Sequence, residues 1–458
     1  MEGHLRFGAL GSRQMRSLAK RLRPRGVLWH NRDFLWLWTA QTVSQFGSEI
    51  TGLALPLVAI LVLEASTFEV AALVVIDWLP FVIFSLAAGV WVDRLPRRVI
   101  LITADWGRAL ALGTIPLAYV LDILTLGQLY VVGLLVGTLT MFFEISYQSY
   151  LPSLVGRDEL GQGNSKLEVS RSAAQVAGPG LAGILVSALT APYAILVDAI
   201  SFLASGLSLS RIRHRDEAPA RPRDQRPRFR AQIGEGLRYT LRNPIQRAFI
   251  VFVAPMNLFS NMLFAIYLVY AVRVLDLSPT TIGVIFSLGS VGSLVGALTA
   301  NRIARVLGIG HSLIAAATIG GLGLLFVPLA SGDLAIPFLV LASVAFGFFV
   351  LNYFVTGVSL VQATTPDHLL GRTNASRRFL VQSMIPLGAL LGGALGTFIG
   401  LRPTIAIGAV GAALAVIPLY FSAIRRITVT ADADEIVRPL NEQFAFAGAS
   451  SSSGPLET

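Results

Sequence analysis

The chain contains no cysteine, five histidines and, among 36 basic residues, only two lysines, Lys20 and Lys166. Without cysteine there is no disulfide, no thiolate metal site and no cysteine nucleophile. The histidines show no ligand spacing. His4 and His30 lie near the N-terminus, His214 lies in a basic linker, and His311 and His368 stand alone. No Walker-type phosphate loop occurs, which argues against ATP drive from this chain. These absences leave no catalytic constellation, no metal site and no cofactor. Charge is scarce as well: 14% of the 458 residues are charged and 54% are hydrophobic. Soluble proteins carry about 25% charged residues, and a mean hydropathy of +0.68 leaves too little polar surface for a water-soluble enzyme.

What is present is a series of long apolar runs. A spanning helix needs about 20 mostly apolar residues. Residues 248–272, 277–301, 306–332, 334–366, 379–401 and 403–424 meet this without a single Asp, Glu, Lys or Arg. Six more runs precede them, at 34–63, 68–92, 99–121, 125–150, 168–189 and 193–210. The pattern predicts an all-α integral membrane protein of twelve transmembrane helices. With the N-terminus inside and the spans alternating, all but three of the 36 basic residues fall on one side. The exceptions are Arg273 and Arg402, outside, and Arg108, within a span. Positive residues mark the cytoplasmic side, so both termini are expected in the cytoplasm, and the basic balance does not point to nucleic acid.

The spans fall into two groups of six, 31–210 and 248–425. Between them, 211–247 carries Arg211, Arg213, Arg215, Arg221, Arg223, Arg226, Arg228 and Arg230, broken by prolines. Its later part, Gln232 to Arg242, is expected as a surface helix. The basic tail 1–30 and the tail 426–458 read as cytoplasmic, the last part unstructured, and no cleaved signal peptide is expected. The halves repeat: Asp93-Arg94 with Arg97 matches Asn301-Arg302 with Arg305, and Asn164 through Gly183 aligns without gaps on Asn374 through Gly393. Two duplicated halves with a site between them are a common transporter plan.

The most specific motif follows the second span: Gly89-Val90-Trp91-Val92-Asp93-Arg94-Leu95-Pro96-Arg97-Arg98. It resembles the cytoplasmic signature of the major facilitator superfamily, with Trp91 and Pro96 departing from the usual Leu and Gly. Other stretches resemble the bacterial efflux subfamily of siderophore and macrolide exporters. They are Ser44-Gln45-Phe46-Gly47, Asp105 with Arg108-Ala109, Asp198 through Leu203, Glu235-Gly236-Leu237-Arg238, and Pro366 with Gly371-Arg372. The resemblance implies the two-half fold and a gate formed by Gly89, Asp93, Arg94, Arg97 and Arg98, latched to the start of the eleventh span near Ser376 to Arg378. Independently of it, Gly89 allows close helix packing and Asp93 can pair with an Arg or a helix N-terminus. The basic residues of the motif also simply obey the charge asymmetry.

Ionisable groups inside a span are costly, at about 2.5–3.5 kcal/mol near the centre on insertion scales. Here Glu49, Asp77, Asp105, Arg108, Glu144 and Asp198 are proton-coupling candidates, all in the first half. At about 1.5 Å per residue, Asp105, Arg108 and Glu144 share one depth and are expected to form a cluster. An Arg between carboxylates keeps them ionised, and opening the cluster lets one take a proton; the alternative is a permanent salt bridge. Glu49 continues a stripe of Gln41, Ser44, Gln45, Ser48 and Gly52 at helical spacing, which is expected to line a cavity. Gly178-Pro179-Gly180-Leu181-Ala182-Gly183 resembles the kink motif of drug/proton antiporters, and Pro with Gly bends a helix. The kink is assigned to Gly178, Pro179 and Gly183. The fourth span lacks the Arg many proton-coupled exporters carry there; either Arg108 replaces it or the coupling route differs.

In the second half, Asn257, Asn261, Asn352, Tyr353 and Gln382 join Gln41 and Gln45 as substrate-cavity candidates. Each also suits an interhelical hydrogen bond. The expectation is a monomeric secondary transporter in the cytoplasmic membrane that exports small amphiphilic molecules in exchange for protons. Proton-coupled uptake, or a receptor or lipid-handling protein of the same fold, are the alternatives.

Overall fold

The computed structural model describes residues 27–29, 31–92, 95–156, 159–214 and 229–452. Among these every long element is a helix. The first half holds α1 (Arg32–Leu61), α2 (Thr67–Val92), α3 (Arg97–Val120), α4 (Leu126–Val155), α5 (Leu160–Leu189) and α6 (Ala191–Ser210). A linker helix α7 (Phe229–Arg242) follows. The second half holds α8 (Pro244–Arg273), α9 (Pro279–Leu307), α10 (Ile309–Leu324), α11 (Ala335–Ala363), α12 (Asp367–Gln382), α13 (Met384–Phe398) and α14 (Leu401–Leu414). Eleven stretches are long and apolar enough to cross a membrane; α12 and α13 form one of them, broken at Ser383. With 26 residues and only Glu69 and Asp77 charged, α2 is consistent with a twelfth.

The repeat reaches the helix caps. Asn31 accepts the Phe34 N–H to start α1, and Asn243 accepts the Ile245 and Gln246 N–H groups to start α8. Both 30-residue helices then carry an internal proline, Pro56 and Pro255. The side chain satisfies N–H groups that a helix start leaves without intrahelical partners.

The C-terminal segment departs from expectation. Residues 430–458 read as unstructured, yet Thr430–Ser452 form a helix, α15. Asp432 accepts the Thr428 and Val429 N–H groups, Ala433 and Val437 are buried, and Asn441 accepts the Tyr239 hydroxyl at 2.6 Å. The ring of Phe444 meets Tyr239 edge-on. Tertiary contacts with α7 and α11 supply what the polar composition could not. The basic tail 1–26 and linker residues 215–228 lie outside the described residues.

The two halves touch most closely at the end of the bundle far from the termini and linker. There α5 meets α9. A methyl on Gly283 would sit 3.1 Å from Gly183 Cα, and one on Gly183 would sit 3.0 Å from Thr280 Cα. Gly180 N–H donates to Ser287, and Thr280 donates to Ser187 at 2.8 Å. Similarly, Gly393 and Gly396 of α13 lie on Ala71 and Thr67 of α2. Arg273 closes the same end by donating to the Ala65 carbonyl at 2.7 Å. Its fellow exception to the charge rule, Arg402, donates to the Ala330 carbonyl at 2.6 Å. Both far-end arginines therefore hold chain carbonyls.

Candidate functional site

At the opposite, terminus-side end the halves leave a cavity of about 260 Å³ between α2, α4 and α12. Glu144, Gln148, Asn374, Arg378 and Gln382 line it with Phe81 and Phe379. Arg378 donates through Nε to Gln382 at 2.9 Å, and Glu144 is open to the cavity. Glu144 thus faces the second half, and Arg378 is the cation that acts on it most strongly, ahead of Arg171 and Arg108. Of the expected three-member cluster, Glu144 stays within the electrostatic reach of Arg108 but forms no ion pair with it among the described residues, because Thr140 and Phe143 of α4 make the direct contacts with Arg108. Gln148 and Asn374 escaped the sequence reading, although Gln148 stands at helical spacing from Glu144.

Asp105 and Arg108 do pair, deep in the first half. Asp105 also accepts the Ser205 hydroxyl at 2.5 Å. The Arg108 guanidinium lies between the rings of Phe202, at 4.1 Å, and Phe143, at 4.5 Å. Aromatic faces stabilise a desolvated cation. Both members are buried, so the pair is a dry joint between α3, α4 and α6. Asp198 is a second joint. It accepts Thr51 at 2.5 Å and Ser201 at 2.8 Å, and Gly47 leaves the room for this approach of α6 to α1.

Glu49 is different. It is half-buried, and no hydrogen bond reaches its carboxylate among the described residues. Its stem packs on Gly178, where a methyl would come within 2.9 Å of Glu49 Cγ. The stripe around it divides. Gln41 and Ser44 are buried, while Ser48 and Gly52 are exposed, Gly52 with open space before it. Gln41 accepts Gln45 Nε2 at 3.5 Å, and its own Nε2 is buried without an acceptor. Arg171, further along α5, is the cation whose field reaches Glu49. Asp77 stands apart, exposed on α2 with Oδ1 near Gly137 of α4.

The kink residues take separate parts. Gly178 carries Glu49, while Pro179 and Gly183 press on Gly283. In the gate motif, Gly89 lies in the last turns of α2, and Asp93 and Arg94 lie outside the described residues. Arg98 donates to the Ser210 carbonyl at 2.6 Å, and Arg97 begins α3. On the expected latch partner, Ser376 is buried and Arg377 lies beside the Tyr353 hydroxyl.

The second-half candidates also divide. Asn257 donates to the Val381 carbonyl at 3.0 Å, just before the break between α12 and α13, and Asn261 donates to the Asn257 carbonyl at 2.9 Å. Those amides hold helices. Asn352 is fully buried with neither end of its amide bonded. Tyr353 belongs to an aromatic cluster with Phe249, Phe252 and Phe349.

The sequence profile of the Major Facilitator Superfamily matches residues 37–383 and 250–447. The chain is 25% identical to the multidrug efflux pump Tap of Mycolicibacterium fortuitum, across 78% of this chain and 88% of that one. It is 24% identical to the enterobactin exporter EntS of Salmonella typhi, across 79% and 85%. Its fold resembles a bacterial homologue of the iron transporter ferroportin in the inward-facing state, with a TM-score of 0.67 at 19% identity, covering 87% of this chain and 99% of the other. It also resembles the nucleoside transporter NupG, with a TM-score of 0.66 at 14% identity, covering 85% and 98%.

Proposed function

The chain belongs to the major facilitator superfamily and is a multi-span membrane transporter of small molecules, and we propose that it is an exporter that exchanges protons for amphiphilic cargo. One observation carries the coupling: Glu49 packs on Gly178, one residue before the segment that joins the halves. A charge change on Glu49 acts directly on the α1–α5 contact. The neighbouring Pro179 and Gly183 transmit any shift of α5 to α9, because backbone lies on backbone there. Protonation of Glu49 removes a charge that no hydrogen bond holds from the half-buried α1–α5 seam, which shifts the balance between the closed packing of the far end and its release.

The cargo enters from the terminus-side cavity, where an acid and neutral polar groups stand among aromatic rings. That lining suits amphiphilic, often cationic, molecules. The charge asymmetry supports a cytoplasmic position for this end and both termini, and in this reading each chain works as a monomer. The similarity to an efflux pump and an enterobactin exporter supports the outward direction.

The decisive experiment measures substrate uptake into inside-out vesicles with and without a protonophore. Uptake should collapse with the gradient; uptake that survives removes proton coupling from the reading. For the gate, Asp93→Asn should slow turnover more than it weakens substrate binding, and the reverse result would remove Asp93 from the latch.

A further inference from the structure

A second cavity lies apart from the one lined by Glu144 and Arg378. It occupies about 1070 Å³ between the first turns of α1 and α3 and the end of α6. Four arginines line it: Arg32, Arg98, Arg211 and Arg213. The one carboxylate among its lining residues is already engaged. Asp33 accepts the Arg213 N–H at 3.1 Å and the His214 N–H at 2.9 Å, holding the chain after α6 against α1. Among the described residues, no carboxylate lies within ion-pair distance of any of the four arginines. Arg98 donates to the Ser210 carbonyl, while its Nε is buried without an acceptor. Four guanidinium groups thus line one hollow that contains a single acid among the described residues.

Like charges gathered this way repel, and an anion relieves the repulsion. Guanidinium binds phosphate oxygens through paired, charge-assisted hydrogen bonds. The remaining walls are not those of a free-phosphate site. Leu35 and Ile212 are apolar, and the Trp36 ring carries the Arg211 guanidinium at 4.8 Å. Three helix ends meet here, so the hollow lies at the boundary between bilayer and water, where Trp concentrates. Basic pockets at such depth bind anionic lipid headgroups. We propose that this cavity binds the phosphodiester headgroup of an anionic glycerophospholipid. The arginines hold the phosphate, and Leu35 and Trp36 lie against the glycerol and upper chains. Lipid bound there would bridge α1, α3 and α6, independently of which cargo is carried.

The test uses the purified full chain in neutral detergent, with native mass spectrometry and melting temperature as readouts. The probes are phosphatidylglycerol, phosphatidylcholine and inorganic phosphate. Phosphatidylglycerol should bind and raise the melting temperature, and the other two should not. A triple variant, Arg32→Gln with Arg211→Gln and Arg213→Gln, should lose on the order of 100-fold in phosphatidylglycerol affinity. A control variant, Arg302→Gln with Arg305→Gln, removes charge from the last turns of α9 in the second half and should keep it. Should the triple variant melt early without lipid, Arg213→Gln alone serves; its exposed side chain makes no described hydrogen bond, and it should lose about fivefold. Equal phosphatidylglycerol binding by wild type and variants would overturn the site. An equal loss in the control would reduce it to general surface charge. Stabilisation by inorganic phosphate matching that by phosphatidylglycerol would overturn the lipid assignment.

Discussion

The two halves share caps, prolines and packing, but they bury different things. The first half encloses charge: Asp105 with Arg108, and Asp198 with two hydroxyls. The second half encloses rings, a continuous aromatic cluster between α8 and α11. A ring cluster is non-directional and tolerates sliding. A dry ion pair in a helix bundle does not, because removing one partner strands the other. Within the first half the acids divide again. Asp105 and Asp198 have donors for both oxygens, whereas Glu49 accepts no hydrogen bond among the described residues and Glu144 lines the terminus-side cavity. The partnered acids read as joints and the unpartnered acids as working groups.

The sharpest test of that division is Asp105→Asn. It leaves Arg108 buried without its counter-charge and should cost about 3–5 kcal/mol, read as loss of the folded chain in detergent melting. A variant that melts normally would break the distinction between joints and working groups. Glu49→Gln should do the reverse. It should abolish proton-driven transport while shifting stability by no more than about 0.5 kcal/mol; unchanged transport would remove Glu49 from coupling.

Gly283→Leu tests the far-end seam, where overpacking should disfavour the closed state by about 1–3 kcal/mol. The absence of cysteine makes the readout direct. A single Ser187→Cys in that background should label faster with an impermeant maleimide, and equal labelling would exclude the seam as a moving contact. Glu144→Gln and Arg378→Gln should each change turnover a few-fold, and the double variant should fall short of their product if they act across the cavity.

The smallest effect belongs to α15. The Val429 and Thr428 N–H groups hold the Asp432 carboxyl below the usual carboxylate range. Its contribution is therefore present above the ordinary carboxylate pKa and fades as pH falls through the lowered value. Asp432→Asn should remove that acid-range dependence, seen as faster hydrogen exchange in the first turn of α15 at neutral pH with little further change on acidification. The rest of the bundle should keep its protection.

By itself the sequence determined the membrane, the all-helical build, the duplication and the glycine-proline composition of α5. Each is a property of composition or of period along one helix, and a bilayer enforces both because it supplies no hydrogen bonds of its own. Even the closeness of Glu49 to the kink involved two features already legible, though not their contact. Only the tertiary structure decided which acids have partners. Azimuth around a helix bundle depends on how neighbours rotate against each other, so Glu144 lines the cavity toward the opposite half and does not bond Arg108. The same holds for Arg273 and Arg402, which look like exceptions to a charge rule until the carbonyls of Ala65 and Ala330 are seen to receive them. It holds also for α15, whose polar sequence becomes helical because Tyr239 and Thr364 offer it partners.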